Sequence, residues 1–429
     1  MPLTYTGAVH RYVTMLALII AGEIVFGLPF HTARFFRPTL LEAFGFTNTE
    51  LGDLFAVYGI TAMLSYFPGG ALADRFPARS LLTASLFATA AGGLFMATLP
   101  AAMPMGLLYG FWGVTTIFLF WGALIRATRE WGGESTQGLA FGVLEGGRGL
   151  VAALTATLAL AVFAAIMPDN VEAVNDEVRR AGMRSIILVY AAAAFIAGVL
   201  TWFTVPVPDA AGYRNPHPLR GMAAVLKRPV IWAHAAVIVC AYCAYKGLDN
   251  YSLYAVQVLG MDEVRGAALS TWGSWVRPIA AVVAGVVADR FGAARSIGVA
   301  FAVLAVSWIL LGVSSADEAA LGIVYLNLFV TFFAVFALRG IYFALLEENR
   351  TPPYLTGAAV GLVSLVGFTP EIFFAPITGR ILDANPGIVG FQYYFLFLAG
   401  VMMLGVLVVL ALLALRGKGN LWPGQEPRR

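Results

Sequence analysis

Charge is what this sequence has least of. Only 12% of its 429 residues are Asp, Glu, Lys or Arg, where a soluble domain carries roughly 25%. A chain of this length cannot build a water-facing surface from that supply, which excludes a soluble globular protein. Cysteine is nearly absent as well: Cys240 and Cys243 are the only two, placed on one face of an apolar helix rather than in disulfide geometry, so they read as filler. Four histidines form no metal-ligand cluster, and no nucleophile, base and orienter come together in the sequence. A Gly-x-x-x-x-Gly-Lys-[Ser/Thr] phosphate loop is also missing. Neither an enzyme nor a cofactor is expected, and energy must come from a gradient. The net charge of +3 is small, and the basic residues are not interleaved with aromatics, so no nucleic-acid partner is expected.

What is there is apolar, at 60% of the chain. A spanning helix needs about 20 mostly apolar residues, and such stretches recur almost from end to end. The lipid bilayer is therefore the solvent. The first, Tyr12 to Phe30, is longer than a signal-peptide core and lacks a small-residue cleavage site, so it reads as a retained helix 1. Helices 2 to 6 are expected over Leu51–Ala73, Ser80–Leu99, Met103–Arg129, Gly138–Met167 and Arg184–Val205. Six more follow over Pro229–Val258, Ala267–Ala288, Ser296–Val313, Ala319–Leu346, Leu355–Leu382 and Ile388–Leu415. The fold class is an all-α membrane protein of twelve transmembrane helices in two pseudo-symmetric six-helix bundles: 1–205, a linker 206–228, and 229–429 with a short tail.

The linker holds Pro206, Pro208, Pro216 and Pro218 with Arg214, Arg220, Lys227 and Arg228, so it is expected to be extended, solvated and basic. Counting alternate loops, its side also collects His10, Arg11, Arg75, Arg79, Arg290, Arg295, Arg416, Lys418, Arg428 and Arg429. The positive-inside rule makes that side cytoplasmic, with both termini on it. The other side carries Asp169, Glu172, Asp176, Glu177, Asp317 and Glu318, with Arg34, Arg37, Arg179 and Arg180 as exceptions.

One string occurs twice. Gly-Ala-Leu-Ala-Asp-Arg-Phe at 70–76 is echoed by Gly-Val-Val-Ala-Asp-Arg-Phe at 285–291, Asp74 and Asp289 lying 215 residues apart (289 minus 74), with Arg79 and Arg295 downstream. Gly70 and Gly285 would let helices approach closely, while Asp74, Arg75, Asp289 and Arg290 pair or meet helix ends. These strings resemble the loop signature of the major facilitator superfamily, and the resemblance covers essentially the whole chain. Pro77 stands where that pattern has glycine; the second copy keeps Gly292, so the first turn should differ.

The segments 141–149 (Phe-Gly-Val-Leu-Glu-Gly-Gly-Arg-Gly), 339–343, Pro370 and 381–387 look like a bacterial branch of that superfamily associated with sugar-derived organic anions, including sulfonated sugars. It is more remotely similar to sugar-acid symporters and organophosphate antiporters. The resemblance implies an inner-membrane carrier that works as a monomer, with two bundles rocking about a midplane site.

Charges within the spans are the candidate site, because each costs roughly 2.5–3.5 kcal/mol at the bilayer centre unless paired or hydrated. Glu145 and Arg148, three residues apart on helix 5, can share one face: they form either a structural ion pair or an anion-binding arginine with a carboxylate that orients it. Arg126 and Arg339 occupy comparable places in helices 4 and 10, with Glu134 and Glu347 each eight residues beyond. A guanidinium offers bidentate donors to carboxylate, phosphate or sulfonate. Arg126 sits near the cytoplasmic end, where snorkelling or gating is an equal reading. Arg277 lies mid-helix beside Trp275 and Pro278. Lys246, Asp249 and Asn250 lie deep in helix 7, where the lysine and aspartate can pair. Arg34 and Arg37 are expected near the external entrance.

Glu23, Glu145, Asp249 and Glu371 are the candidate proton-coupling acids. A carboxylate beside arginine stays ionised, which points to Glu23 and Glu371 over Glu145. Five deep cations against four acids tilt the substrate toward an anion. Tyr342, with Tyr109, Trp112, Trp121, Tyr242, Tyr245 and Tyr251, could stack on a sugar ring. His31 and His234 read as interfacial or structural. The expected function is secondary active transport of a small organic anion, a sugar acid, sugar phosphate or sulfonated sugar, with protons as the coupling partner. The alternatives are a proton-coupled drug exporter or a non-transporting membrane receptor.

Overall fold

Eleven helices among the described residues are long and apolar enough to cross a membrane. Asn48–Ala73, at 26 residues or about 39 Å of helical rise, supplies the twelfth expected span. In chain order α1 to α12 are His10–Phe35, Asn48–Ala73, Ala78–Met96, Ala102–Gly132, Leu139–Ile166, Asp176–Thr204, Pro229–Gln257, Glu263–Phe291, Ala293–Val313, Leu321–Glu348, Thr356–Ala384 and Ile388–Gly417. The computed structural model describes residues 8–133, 136–168, 174–207, 218–314, 321–352 and 355–417. Asp169, Glu172, Asp317, Glu318, Glu134, the middle of the linker and the tail beyond 417 lie outside the described residues.

Two expectations are corrected. Helix α6 begins at Asp176, eight residues before the predicted Arg184, because the Asn175 side chain accepts from the Val178 N–H at 3.0 Å and caps it. The described part of the linker is not extended: Pro218–Leu226 is a helix. Proline suits a first helical turn, where its missing N–H is not needed, and the buried Val225 anchors one face. A short helix, Arg37–Phe44, also follows α1, closed by Gly45 at φ +69°.

Among the described residues six spans are interrupted, five of them beside the buried charges and the sixth, α10, by a 3₁₀ turn at Tyr342–Ala344. Helix α1 passes through a π-helical turn at Gly27–His31 around Pro29, and α4 through another at Thr115–Trp121. Such turns are rare outside functional positions. Helix α7 tightens into a 3₁₀ turn at Leu248–Asn250. Helix α8 breaks at Trp275, where Pro278 cannot offer an N–H to the Ser274 carbonyl. Helix α11 breaks before Pro370; there the Thr369 hydroxyl donates to the Val366 carbonyl at 2.7 Å, replacing the bond that proline cannot make.

The chain gathers into two compact units, one of 1–214, 249–278 and 375–380, the other of 215–248, 279–374 and 381–429. Helices α7, α8 and α11 pass from one unit to the other close to their interruptions.

In the first unit, α1 and α5 meet where Gly147 leaves room for Ile19; a Cβ there would come 2.6 Å from that side chain. Gly69 has the same role between α2 and α4, its missing Cβ lying 2.9 Å from the Phe118 Cα.

Candidate functional site

The first unit buries a charge cluster centred on Glu23, which is 2% exposed. Arg148 on α5 donates from Nε to Glu23 Oε2 at 3.1 Å, and Arg277 on α8 donates from a terminal nitrogen to Glu23 Oε1 at 2.9 Å. His31, carried by the π-helical turn of α1, holds Nε2 3.4 Å from the same Oε1. Arg148 also donates to Glu145 at 2.5 Å, and its guanidinium lies 5.8 Å from the ring centres of both Phe26 and Trp121, within cation–π range.

Glycine makes this cluster possible. A Cβ on Gly149 would stand 3.2 Å from the Arg277 side chain, and one on Gly22 would stand 3.4 Å from Arg148. The glycine-rich run around Arg148 thus gives passage to an arginine from α8. The three donors surround one carboxylate in a water-poor setting, and an unpaired charge there would cost several kcal/mol.

This geometry reverses one expectation. Glu23, expected as a proton carrier apart from arginine, is the acid bound by two of them. Glu145 keeps one arginine contact, with its side chain half exposed.

The second unit holds a smaller cluster. Lys246 Nζ lies 3.3 Å from Glu371 Oε2, and the Tyr242 hydroxyl donates to Glu371 Oε1. Tyr242 and Tyr245 stand with ring centres 5.8 Å apart, and the Arg339 guanidinium lies 4.0 Å over the Tyr245 ring. Lys246 therefore has a carboxylate partner, Glu371, on another helix. Asp249, in the 3₁₀ turn at 248–250, meets Arg34 at 2.5 Å in the first unit. Asn250, in the same turn, is buried.

The remaining candidates take structural positions. Arg126 donates to Glu130 at 2.7 Å and to the Ala73 carbonyl at 2.6 Å, closing the end of α2. This matches the gating alternative more closely than a place beside substrate. The Trp275 indole N–H donates to the Thr157 hydroxyl at 3.1 Å. Tyr342 is buried, and its carbonyl faces His234 Nε2 at 2.9 Å. Arg34 and Arg37 are buried rather than at an open entrance; Arg37 donates to Asn48 at 3.1 Å.

The repeated signature also departs from expectation. Gly70 and Gly285 face open space, so neither is a close-approach glycine; in the first copy that position is the adjacent Gly69. Asp74, Arg75, Asp289, Arg290 and Arg295 are exposed, and Arg79 lies 4.7 Å over the Trp202 ring. The predicted difference between the two turns is present: Pro77 has φ −57° where Gly292 has φ +91°, a value proline cannot adopt. Glu348 braces the second turn, accepting from the Ala294 N–H at 2.8 Å and from Arg416 at 2.6 Å.

His31 is the residue that sequence reasoning missed. Its signal was Pro29 two positions earlier, a helix interruption that re-aims the side chains after it.

Helices long enough to span, broken where they carry buried charge, define a multi-pass membrane carrier. The chain belongs to the Major Facilitator Superfamily, whose family model matches residues 19–375. It is 27% identical over 416 residues to inner membrane protein YqcE of Escherichia coli (strain K12), covering 94% of both chains. It is 25% identical over 378 residues to the probable nitrate/nitrite antiporter NarK1 of Thermus thermophilus, covering 83% of this chain and 82% of that one. Its fold matches a bacterial homologue of the human lysosomal transporter Spinster with a TM-score of 0.75 at 12% identity, over 98% of this chain and 100% of that one. The protein is accordingly a transporter of small solutes by family and fold.

Proposed function

We propose that the protein is a secondary active transporter of a small organic anion, coupled to protons, with Arg148 and Arg277 as the anion-binding pair. The observation that carries this reading is the seat of Glu23. Two guanidiniums from α5 and α8 already hold a carboxylate, and a sugar acid, sugar phosphate or sulfonated sugar presents the same oxyanion chemistry to the same donors. An anion that takes the arginines releases Glu23, and the α1–α8 link through Arg277 is then free to change. Binding at this site thereby biases a conformational equilibrium, as alternating access requires.

The probable nitrate/nitrite antiporter among the relatives supports an anionic substrate. In this reading Lys246, Glu371, Tyr242 and Arg339 form a second polar group that serves coupling or substrate orientation. The chain works as a monomer in a bacterial inner membrane, with two six-helix repeats, 1–205 and 229–429, and both termini in the cytoplasm.

The test is thermal stabilisation of purified protein by a panel of sugar acids, sugar phosphates, sulfonated sugars and cationic drugs, since a ligand that binds the native state raises its stability. Stabilisation by a sugar anion that is lost in Arg148→Gln and Arg277→Gln is the expected result. Stabilisation by cationic or lipophilic compounds alone would replace this reading with that of a drug exporter.

A further inference from the structure

We infer that the coupling proton is carried by Nδ1 of His31 and not by any of the buried carboxylates. The inference rests on the proton-coupled reading above and names the proton's seat within it. His31 is the one member of the Glu23 cluster that can exist in both charged and neutral forms without losing its contact. Its Nε2 faces the Glu23 carboxylate at 3.4 Å, so in the neutral ring the proton sits on Nε2 and the lone pair on Nδ1. Nδ1 is buried and has no hydrogen-bond partner, which leaves an acceptor position open. A hydronium O–H bond breaks as the Nδ1–H bond forms, a water molecule is left behind, and release is the reverse step.

Local backbone and packing fix this ring. The π-helical turn Gly27–His31 aims it at Glu23. The Tyr190 ring meets it edge-on with centres 5.9 Å apart, and Phe35 does so at 5.6 Å. Tyr190 reaches this position only because residue 27 is glycine; a Cβ there would stand 2.7 Å from the Tyr190 ring.

The ion pairs that include Glu23, the ring's own partner, together with the Arg34–Asp249 pair, supply the coupling. Glu23 on α1, Glu145 on α5 and Asp249 in α7 are matched by Arg34 at the end of α1, Arg148 on α5 and Arg277 on α8, through contacts of 2.5 to 3.1 Å. Tyr190 on α6 is the remaining titratable group against the ring. Three carboxylates and three guanidiniums make a neutral set when the imidazole is neutral. A proton on Nδ1 alone leaves one net positive charge in a low-dielectric site, and a monoanion alone leaves one negative charge; both are penalised by burial. Loaded together they cancel, so one proton and one monoanion enter as a neutral pair.

The test requires no substrate. Full-length protein with isotope-labelled histidine is placed in lipid nanodiscs, and the ring resonances are followed by NMR from about pH 5 to about pH 9. The His31 signal is the one lost in His31→Gln, or in His31→Asn should the first variant not fold. The inference expects that signal to move reversibly between neutral and imidazolium positions, with the proton on Nε2 at the alkaline end. A ring that keeps one form throughout, or whose neutral form carries its proton on Nδ1, overturns it. A titrating His31 with no sugar anion bound in the stabilisation panel sinks the anion reading and leaves the proton site standing. A locked ring with anion binding intact does the opposite.

Discussion

Each of the two compact units holds an acid among basic or hydroxyl groups, buried at Glu23 and partly buried at Glu371, and the two are held differently. Glu23 in the first unit faces Arg148, Arg277 and His31, and its helix partners come from both sequence repeats. Glu371 in the second unit faces one lysine and one tyrosine hydroxyl, both from α7. The first site sets three donors around one carboxylate, two of them guanidiniums with the forked geometry that suits an oxyanion; the second offers Glu371 an ammonium and a hydroxyl. Anion affinity should therefore reside with Glu23's partners. The comparison also ranks the two acids as structural elements, because removing one member of a buried ion pair leaves the other charge uncompensated.

The largest expected effect follows directly. Glu23→Ala takes a carboxylate partner from the buried Arg277 and one from Arg148, which keeps Glu145, and should destabilise the protein by about 3–5 kcal/mol. Glu371→Ala removes the acceptor of the Tyr242 hydroxyl and one carboxylate partner of Lys246, and should cost about 1–3 kcal/mol. Thermal unfolding of both variants in the same nanodiscs checks the ranking. A Glu371→Ala protein less stable than Glu23→Ala would break the contrast between the units.

The next effect sharpens it. Arg148 serves Glu23 through Nε and Glu145 through a terminal nitrogen, a forked geometry that a lysine cannot reproduce. Arg148→Lys should therefore weaken anion binding by about tenfold or more, the equivalent of one charge-assisted hydrogen bond at about 1.5–3 kcal/mol. Lys246→Arg, at a cluster outside the proposed anion site, should leave binding of the same anion within a few-fold. Equal losses in the two variants would overturn the assignment of the anion to the first cluster.

The contrast between local and distant partners also explains what the sequence could and could not reveal. The spans were legible because lipid demands long apolar runs, and the repeat because two strings stand in register at a fixed offset. The Glu145–Arg148 pair was legible because residues three apart share a helix face. The same rule gives no hint of Lys246 with Glu371, which lie 125 residues apart (371 minus 246) on different helices. Glu23 with Arg277, 254 residues apart, and Arg34 with Asp249, 215 apart, carry no local signal. Only the folded chain brings them together. His31 stayed hidden for a related reason: a regular helix would have aimed it elsewhere, and the π-helical turn that redirects it is visible only as a proline in an apolar run.

Smaller effects separate packing from signature. Gly69→Ala places a methyl 2.9 Å from the Phe118 Cα, and backbone cannot yield as a side chain would, so a loss of about 1–3 kcal/mol is expected. Gly70→Ala meets open space, and its stability should match the native protein or slightly exceed it, because alanine favours helix more than glycine does. Reversed outcomes in parallel melts would return the close-approach role to the signature glycine.

The smallest effect tests whether burial, and not the mere presence of an ion pair, decides what a charge contributes. Arg380 and Asp53 lie 327 residues apart and pair at 2.9 Å, with both side chains more than half exposed. The Arg34–Asp249 pair has similar sequence reach, but its side chains are less than one tenth exposed. Water or headgroups solvate the first pair in either arrangement, so Asp53→Asn should leave the melting temperature unchanged within error. Asp249→Asn should lower it clearly, because the Arg34 guanidinium would remain buried against a neutral amide. The two variants remove the same formal charge from the same compact unit, so a difference in melting temperature between them reports the surroundings of each carboxylate rather than its charge.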